Sequence, residues 1–279
     1  MKQQLLLTLG AGTLLILLFV FGRIETQKSN FPHSESAGQV FNISDYITKS
    51  KSSLSKSQLL YLANLENQVK RGDIKSELKH NFDQLAIFWK DSVKIFLPYA
   101  YYLGESAKLD NSEKNLTFAA QLMLDSMRAE GDPMLKGWEA ERGAELFEKA
   151  ISLQPENDNL KIGLGSCYVY GKGMIGDPSE TMKGIQQLLQ VVRKDSNNMR
   201  AQLVLGVGGV VSRQYDKAIE RLLKVVSFDP KNLEAISWLA DAYAAKNDKV
   251  NARKWYEYSK KLVNNQEYSK AVDERIKAL

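Results

Sequence analysis

The sequence predicts an all-α solenoid of stacked helix pairs that follows a single N-terminal transmembrane helix. The prediction rests on a pattern that recurs 34 residues later near the C-terminus, and on one uncharged stretch at the N-terminus. The recurring positions pair Leu205 with Leu239, Gly206 with Ala240, Ala218 with Ala252, and Leu222 with Tyr256. A fixed period of this size is typical of helix–turn–helix units stacked in a row. A composition of 44% hydrophobic and 25% charged residues is ordinary for a folded protein.

The recurring residues resemble those of the tetratricopeptide repeat (TPR) family. In each unit a Leu-Gly or Leu-Ala pair lies on the first helix, and a small residue precedes a large one on the second helix. Small residues let the two helices approach closely, while large residues fill the space between neighbouring units. The resemblance extends over residues 111–264, and it implies a right-handed helical solenoid.

A third unit of the same kind precedes these two. It has Leu164 and Gly165 on its first helix and Leu188 on its second helix. The step from Gly165 to Gly206 is 41 residues rather than 34, so this unit contains extra residues. We expect the extra residues in a loop at 171–178, because three glycines and a proline do not extend a helix without cost.

Residues upstream and downstream of these units match the repeat more loosely. Residues 116–127 and a segment that ends at Ala150 predict a fourth helix pair. Residues 58–110 predict three TPR-like helices, with Pro98 at a kink or in a first turn. Residues 265–279 predict a capping helix, because the last unit of a solenoid needs a polar outer surface. The solenoid then contains about twelve helices.

The N-terminus carries an uncharged stretch of 18 residues, 5–22, between Lys2 and Arg23. This length is at the short end for a membrane-spanning helix. A cleaved signal peptide is the alternative, but its apolar core is usually shorter and small residues follow it. The sequence therefore favours an uncleaved anchor after a short leader, residues 1–4, with the rest of the chain exported. An N-terminal anchor of this kind places the solenoid on the periplasmic side of a bacterial inner membrane.

Residues 23–57 are rich in serine and predict a flexible tether between the anchor and the solenoid. Phe41, Ile43, Tyr46 and Ile47 interrupt the polar composition. Two interpretations remain open for these four residues. They form either a short docking element or, as the sequence favours, a loosely packed strand or turn against the first helices.

No group of residues in the sequence indicates catalysis, a metal ion or a cofactor. His33 and His80 are too far apart for metal-ligand spacing, and Cys167 is expected to be a buried packing residue. Glycines at 163–165 and 206–209 lack the preceding strand and the Lys-Ser/Thr ending of a P-loop, so close helix packing explains them better. The formal charge of +5 comes from basic residues interleaved with acids, which does not indicate a nucleic-acid surface.

The TPR resemblance implies a concave groove lined by the first helix of each unit. It places at this groove Ile162, Val169, Tyr170, Arg200, Leu203, Val207 and Val211. The wall is then apolar in the middle and acidic towards the C-terminal end, at Glu234 and Asp241. Two occupants remain open, a protein or peptide partner and other parts of this same chain.

The function that the sequence predicts is a non-catalytic, membrane-anchored adaptor that scaffolds a complex of the bacterial envelope. Its partners are proteins or peptides of unknown identity, bound in the groove. One alternative is a periplasmic assembly factor that holds unfolded client proteins. A second is an enzyme subunit whose active site is not evident, and self-association through the solenoid is also open.

Overall fold

Helix follows helix along the part of the chain that the structure describes, and no strand occurs there. The computed structural model describes residues 41–72 and 74–279. These residues form thirteen α-helices, numbered in chain order. They are α1 (Ile43–Ser50), α2 (Lys56–Arg71), α3 (Lys75–Ile87), α4 (Phe96–Asp110), α5 (Glu113–Ala129), α6 (Pro133–Leu153), α7 (Asp158–Ser166), α8 (Pro178–Lys194), α9 (Met199–Val211), α10 (Tyr215–Phe228), α11 (Leu233–Ala245), α12 (Lys249–Val263) and α13 (Gln266–Lys277).

Two helices continue into π-helical segments. Phe88–Val93 extends α3 and Cys167–Gly173 extends α7, while a short 3₁₀ turn, Lys51–Ser53, follows α1. Between residues 41 and 279, leaving aside residue 73, no helix is long and apolar enough to cross a membrane. The predicted leader, the predicted anchor at 5–22 and the first part of the predicted tether lie outside the described residues.

From α5 onward the helices pack as consecutive pairs: α5 with α6, α7 with α8, α9 with α10, and α11 with α12. The same local chemistry starts and ends each pair. The side chains of Asn198 and Asn232, 34 residues apart, cap α9 and α11 by accepting bonds from backbone N–H groups. Arg213 and Asn247, again 34 apart, adopt the same left-handed backbone conformation in the turns that follow these helices.

Small residues on the first helix of each pair bring the second helix close. A Cβ atom added to Gly206 would lie 2.7 Å from the Leu222 side chain, and one added to Gly165 would lie 2.6 Å from that of Leu188. In the next pair Ala240 and Tyr256 occupy the corresponding buried positions. The close-packing interpretation of these glycines is confirmed. With these contacts the predicted all-α fold of stacked helix pairs is also confirmed for the described residues.

The extra residues of the third unit do not all form the predicted loop. Residues 167–173 continue α7 as the π-helical segment, and only residues 174–177 form a turn before α8. Gly171 lies against Ala140 of α6, and Gly173 lies against Thr181 of α8, with no room for a side chain at either glycine. The prediction was wrong here because tertiary packing outweighs the low helix propensity of glycine.

The prediction of a flexible tether is also wrong for residues 43–50, which form the helix α1. Its N-terminus is capped by the Asn42 side chain, which accepts from the backbone N–H of Ser44 at 2.8 Å. Ile43 and Ile47 lie on one face of α1 and are buried in a cluster with residues of α2 to α6. Two isoleucines four residues apart give a helix an apolar stripe, and burial of that stripe stabilises so short a helix.

At the other end of the chain, α13 packs on the last pair. Val272 and Ile276 of α13 are buried together with Ala240, Ala252 and Tyr256. The opposite face of α13 carries charged side chains that are exposed to solvent.

Candidate partner-binding site

The first helices of neighbouring pairs form one continuous wall. Contacts join α5 to α7, α7 to α9, and α9 to α11, whereas the second helices of neighbouring pairs lie farther apart. Between α10 and α12 the gap is an open groove of about 490 Å³. The stack therefore curves towards α5, α7, α9 and α11. We call the wall that they form the inner surface.

Six of the seven residues that the sequence places at the groove belong to one hydrophobic cluster. Ile162, Val169, Tyr170 and Val207 are buried in it, each at most 5% exposed, and Leu203 and Val211 pack against it as half-buried residues. Arg200 is exposed, and its Nη1 atom donates to Asn159 Oδ1 at 3.2 Å. A partner on the inner surface would therefore first meet Arg200, Leu203 and Val211.

One ion pair crosses the inner surface and covers its middle. Arg128, in the last turn of α5, donates through Nη2 to Glu234 Oε2 of α11 at 2.6 Å. These two residues belong to the first and the last of the four pairs. The guanidinium group of Arg128 also lies over the ring of Tyr170, 4.6 Å from its centroid. The side chains of this same chain thus fill the centre of the predicted groove.

Tyr170 is the polar group beneath this ion pair. Its hydroxyl is buried and has no hydrogen-bond partner among the residues that the structure describes. Burial raises the pKa of this hydroxyl well above its usual value. The Glu234 carboxylate raises the pKa further, through its charge and through a contact that is too loose to count as an ordinary hydrogen bond. A buried hydroxyl without a partner is costly, and it is available to a group that enters from the inner surface.

The ion pair is weak enough to be displaced. The side chains of Arg128 and Glu234 are 43% and 29% exposed, and ion pairs at such exposure are worth about 0.2–1 kcal/mol. The contact between the guanidinium group and the Tyr170 ring adds roughly 0.5–1 kcal/mol. Opening the centre of the inner surface therefore costs only about 1–2 kcal/mol.

The C-terminal end of the inner surface is acidic in sequence but is neutralised in the fold. Asp241 accepts a hydrogen bond from the hydroxyl of Tyr256 at 2.6 Å. It also forms an ion pair with Arg275 of α13 at 3.0 Å. The charge of Asp241 is thus already paired. The polar character that remains for a partner lies at Arg128, Arg200 and Glu234.

Arg128 is the residue of this site that sequence reasoning missed. The helix predicted from the sequence ends at residue 127 and leaves residue 128 outside, whereas the structure places it on α5. No local motif marks the residue, because its two contacts are made with the π-helical segment after α7 and with α11, and depend on how the pairs stack. Glu234 lies at an inner position in the repeat pattern, but the pattern does not show what it faces.

The described residues offer little for chemistry. Cys167 is buried where an added Cβ on Gly143 would lie 3.0 Å from its sulfur, and burial raises the pKa of its thiol. Among residues 41–72 and 74–279, no cluster of three or more His, Cys, Asp or Glu side chains is arranged to hold a metal ion.

No protein-family model matches the sequence, and no curated protein matches it. Several solved structures are similar. MamA (residues 41 to the end) from Desulfovibrio magneticus RS-1 is 21% identical, with 70% of this chain and 98% of that chain covered at a TM-score of 0.49. A further MamA crystal structure is 20% identical, with 67% and 92% covered and a TM-score of 0.47. YrrB, described as a TPR protein with an unusual peptide-binding site, is 15% identical, with 75% and 97% covered and a TM-score of 0.47. At such identities the similarity concerns the fold alone.

Proposed function

We propose that this protein is a non-catalytic adaptor that holds a partner polypeptide on the inner surface formed by α5, α7, α9 and α11. We further propose that residues 5–22 anchor it in a bacterial inner membrane, with the helix pairs on the periplasmic side, where it scaffolds an envelope complex. The observation that carries the adaptor proposal is the Arg128–Glu234 ion pair, which lies over the unpartnered hydroxyl of Tyr170.

A partner would occupy the inner surface by displacing Glu234 from Arg128. The guanidinium group of Arg128 then offers its donors to a carboxylate or a backbone carbonyl of the partner. The hydroxyl of Tyr170, which makes only a loose contact with Glu234, can then donate a well-formed hydrogen bond to the partner. Apolar contacts come from Leu203 and Val211, which are half-buried at the same wall. Tyrosine and arginine are the residue types that most often dominate the binding energy of such interfaces.

The experiment that tests this proposal is site-specific photo-crosslinking in native membranes. A photoreactive amino acid replaces Arg200 or Asn159, which are exposed on the inner surface, or Gln190, which is exposed on the second helix α8. We expect one or a few proteins to crosslink from Arg200 and Asn159 and not from Gln190. Equal crosslinking from all three positions would contradict the proposal.

Two variants then test the role of the ion pair. Glu234→Gln removes the competing carboxylate, so the crosslinked yield should rise by about 1.5- to fivefold, as an ion pair of about 0.2–1 kcal/mol predicts. Arg128→Gln removes the group that the partner engages, so the yield should fall. If neither variant changes the yield, the ion pair has no part in binding. Crosslinks to many unrelated polypeptides, instead of a few, would favour the alternative of an assembly factor for unfolded clients.

The proposed location has its own test. Alkaline phosphatase, which is active only after export, is fused after Leu279. An active fusion supports a periplasmic position for the helix pairs. An inactive fusion that is well expressed would place them in the cytoplasm and contradict the proposed envelope role.

A further inference from the structure

The groove between the second helices α10 and α12 lies on the side of the stack opposite the inner surface. Its walls include Leu223, Val226 and Pro230 from the α10 side and Trp255 and Tyr258 from α12. Leu223, Trp255 and Tyr258 are half-buried, and the groove has a volume of about 490 Å³. The rings of Trp255 and Tyr258 meet edge to face with centroids 6.0 Å apart, which gives the α12 wall an aromatic surface.

The repeat provides an internal comparison for this groove. The corresponding groove 34 residues earlier lies between α8 and α10. Arg221 occupies there the position of Trp255, and Lys224 occupies the position of Tyr258. Lys224 donates to the backbone oxygen of Ser196 at 2.6 Å, and Tyr258 donates to that of Pro230 at 3.1 Å. The fold therefore makes the same bond with a lysine as with a tyrosine.

Arg221 likewise makes a hydrogen bond within its own helix pair, because its Nη1 atom donates to Gln202 Oε1 at 2.7 Å. The earlier unit shows that stacking of the pairs does not require aromatic side chains at these two positions. The aromatic wall at Trp255 and Tyr258 is thus an addition to the repeat and not a condition of its packing.

Two lysines without a carboxylate partner flank the aromatic wall. Lys254 and Lys261 line the groove, and neither has a carboxylate within ion-pair distance in the described part of the chain. The ammonium group of Lys254 lies 5.5 Å from the centroid of the Trp255 ring. Glu257, which lies between them, is 3.5 Å from Lys260 and is therefore partly neutralised. Seven residues of helix separate the two lysines, so they lie on one face roughly 10 Å apart along the axis.

From this arrangement we infer that the α10–α12 groove is a second docking site, for a polypeptide segment with apolar side chains flanked by carboxylates. The apolar side chains enter between Leu223 and Trp255. The carboxylates, spaced by about two helical turns, reach Lys254 and Lys261. A bilayer fits this site less well than a polypeptide does, because the apolar residues line a recess between two helices. This site does not depend on the inner surface, so the protein can hold two different partners at once.

The inference is tested with two synthetic peptides that share a leucine and phenylalanine face. One carries glutamates at all its other positions, and the second carries lysines there. Fluorescence anisotropy measures their binding to the full chain in detergent. We expect the acidic peptide to bind about tenfold more tightly than the basic peptide, or better. Equal affinities for the two peptides would overturn the inference.

Variants of the groove follow from the internal comparison. Trp255→Arg/Tyr258→Lys installs the residues that the preceding unit carries at these positions, so the helix pairs should still stack. Trp255→Gln/Tyr258→Gln removes the two rings without adding charge, and we expect it to bind the acidic peptide about tenfold more weakly. Lys254→Glu/Lys261→Glu should lower the affinity for the acidic peptide and raise the affinity for the basic one. Retained affinity for the acidic peptide in Trp255→Gln/Tyr258→Gln and in Lys254→Glu/Lys261→Glu would overturn the inference.

Matched controls keep the result specific. Lys70→Glu/Lys114→Glu makes the same change in net charge at exposed positions of α2 and α5, and it should leave affinity within about twofold. Phosphatidylglycerol vesicles and sedimentation test the other occupants. If the acidic peptide does not bind, and vesicle binding or self-association is lost in Trp255→Gln/Tyr258→Gln, the groove holds a membrane or a second copy and the inference is overturned.

Discussion

Glu139 is a carboxylate that lies inside the helix stack with one oxygen unpaired. Its Oε1 atom accepts from the hydroxyl of Ser126 at 2.6 Å, while Oε2 has no partner among the residues described. Only 1% of Glu139 is exposed, and this burial raises its pKa from 4.5 to about 7. The folded protein therefore favours the protonated, neutral form of this side chain.

The pKa of Glu139 makes stability depend on pH. The pKa of Glu139 is higher in the folded state than in the unfolded state. The contribution of Glu139 to the free energy of unfolding is therefore fully present below about pH 4.5, and it is lost as the pH rises towards 7. Glu139→Gln keeps the side chain neutral, so we expect it to raise the free energy of unfolding at pH 8 by about 2–3 kcal/mol. Urea unfolding at pH 5 and pH 8 measures the effect.

The control for this prediction is Glu141→Gln, an exposed position of the same helix, which should change stability by less than about 0.5 kcal/mol. If Glu139→Gln shows the same pH dependence as the unaltered protein, Glu139 does not titrate near neutral pH.

Substitution of Gly206 by alanine has two opposing effects on the stability of the fold. Alanine is a better helix former than glycine by about 1 kcal/mol, but a Cβ at this position would lie 2.7 Å from the Leu222 side chain. Overpacking of this kind costs about 1–3 kcal/mol. We therefore expect Gly206→Ala to lower the midpoint of thermal unfolding, whereas Gly131→Ala, with no atom within 4 Å of its added Cβ, should not. A more stable Gly206→Ala protein would show that helix propensity prevails.

At the scale of elements, α1 shows how a short helix enters the fold. It is only eight residues long and would not be stable alone, so its order depends on burial of Ile43 and Ile47. Burial of each isoleucine contributes about 1.5–3 kcal/mol. The sequence did not predict this helix, because the serine-rich composition around it is typical of linkers and two isoleucines are too few to establish a helical period.

A comparison of two shortened chains tests the contribution of α1. A chain that begins at residue 55 lacks α1, and we expect it to unfold at a lower urea concentration than a chain that begins at residue 41. The second chain lacks the same N-terminal 40 residues but retains α1, so it is the matched control. Equal midpoints would mean that residues 41–54 act as a tether after all.

The repeats themselves could be predicted from the sequence, because a helix pair of fixed length repeats both its small and its large residues. The segment at 167–173 could not be predicted in this way. Its glycines indicate a loop by propensity, and only contact with Ala140 and Thr181 makes a helical turn favourable there. Helix propensity and the 34-residue repeat thus predict the helices that follow the repeat. They fail where packing between neighbouring helix pairs determines the backbone conformation.

At the scale of the whole molecule, the inner surface combines helices that are far apart in sequence. The repeat pattern assigns residues such as Tyr170 and Leu203 to this wall. It does not give their exposure, since exposure depends on how tightly the stack curves. For the same reason the meeting of Arg128 with Glu234 could not be predicted from either residue alone.

A double-mutant cycle measures how firmly the inner surface is closed. Arg128→Ala, Glu234→Ala and the double variant are compared by urea unfolding, and we expect a coupling energy of about 0.2–1 kcal/mol. Such a value agrees with an ion pair that a partner can displace. A coupling energy above about 3 kcal/mol would mean that the pair is structural, and it would contradict the proposed mode of binding.

The Arg128–Glu234 ion pair joins positions that are 106 residues apart, whereas contacts between sequence neighbours hold the helix pairs together. Units of a solenoid can assemble in any order, since each contacts only its neighbours. Arg128 and Glu234, however, meet only after every unit between α5 and α11 is in place and in register. The ion pair therefore reports that the units from α5 to α11 are assembled. A chain with one misassembled unit leaves Tyr170 uncovered, and it presents to its surroundings a surface that the finished molecule keeps closed.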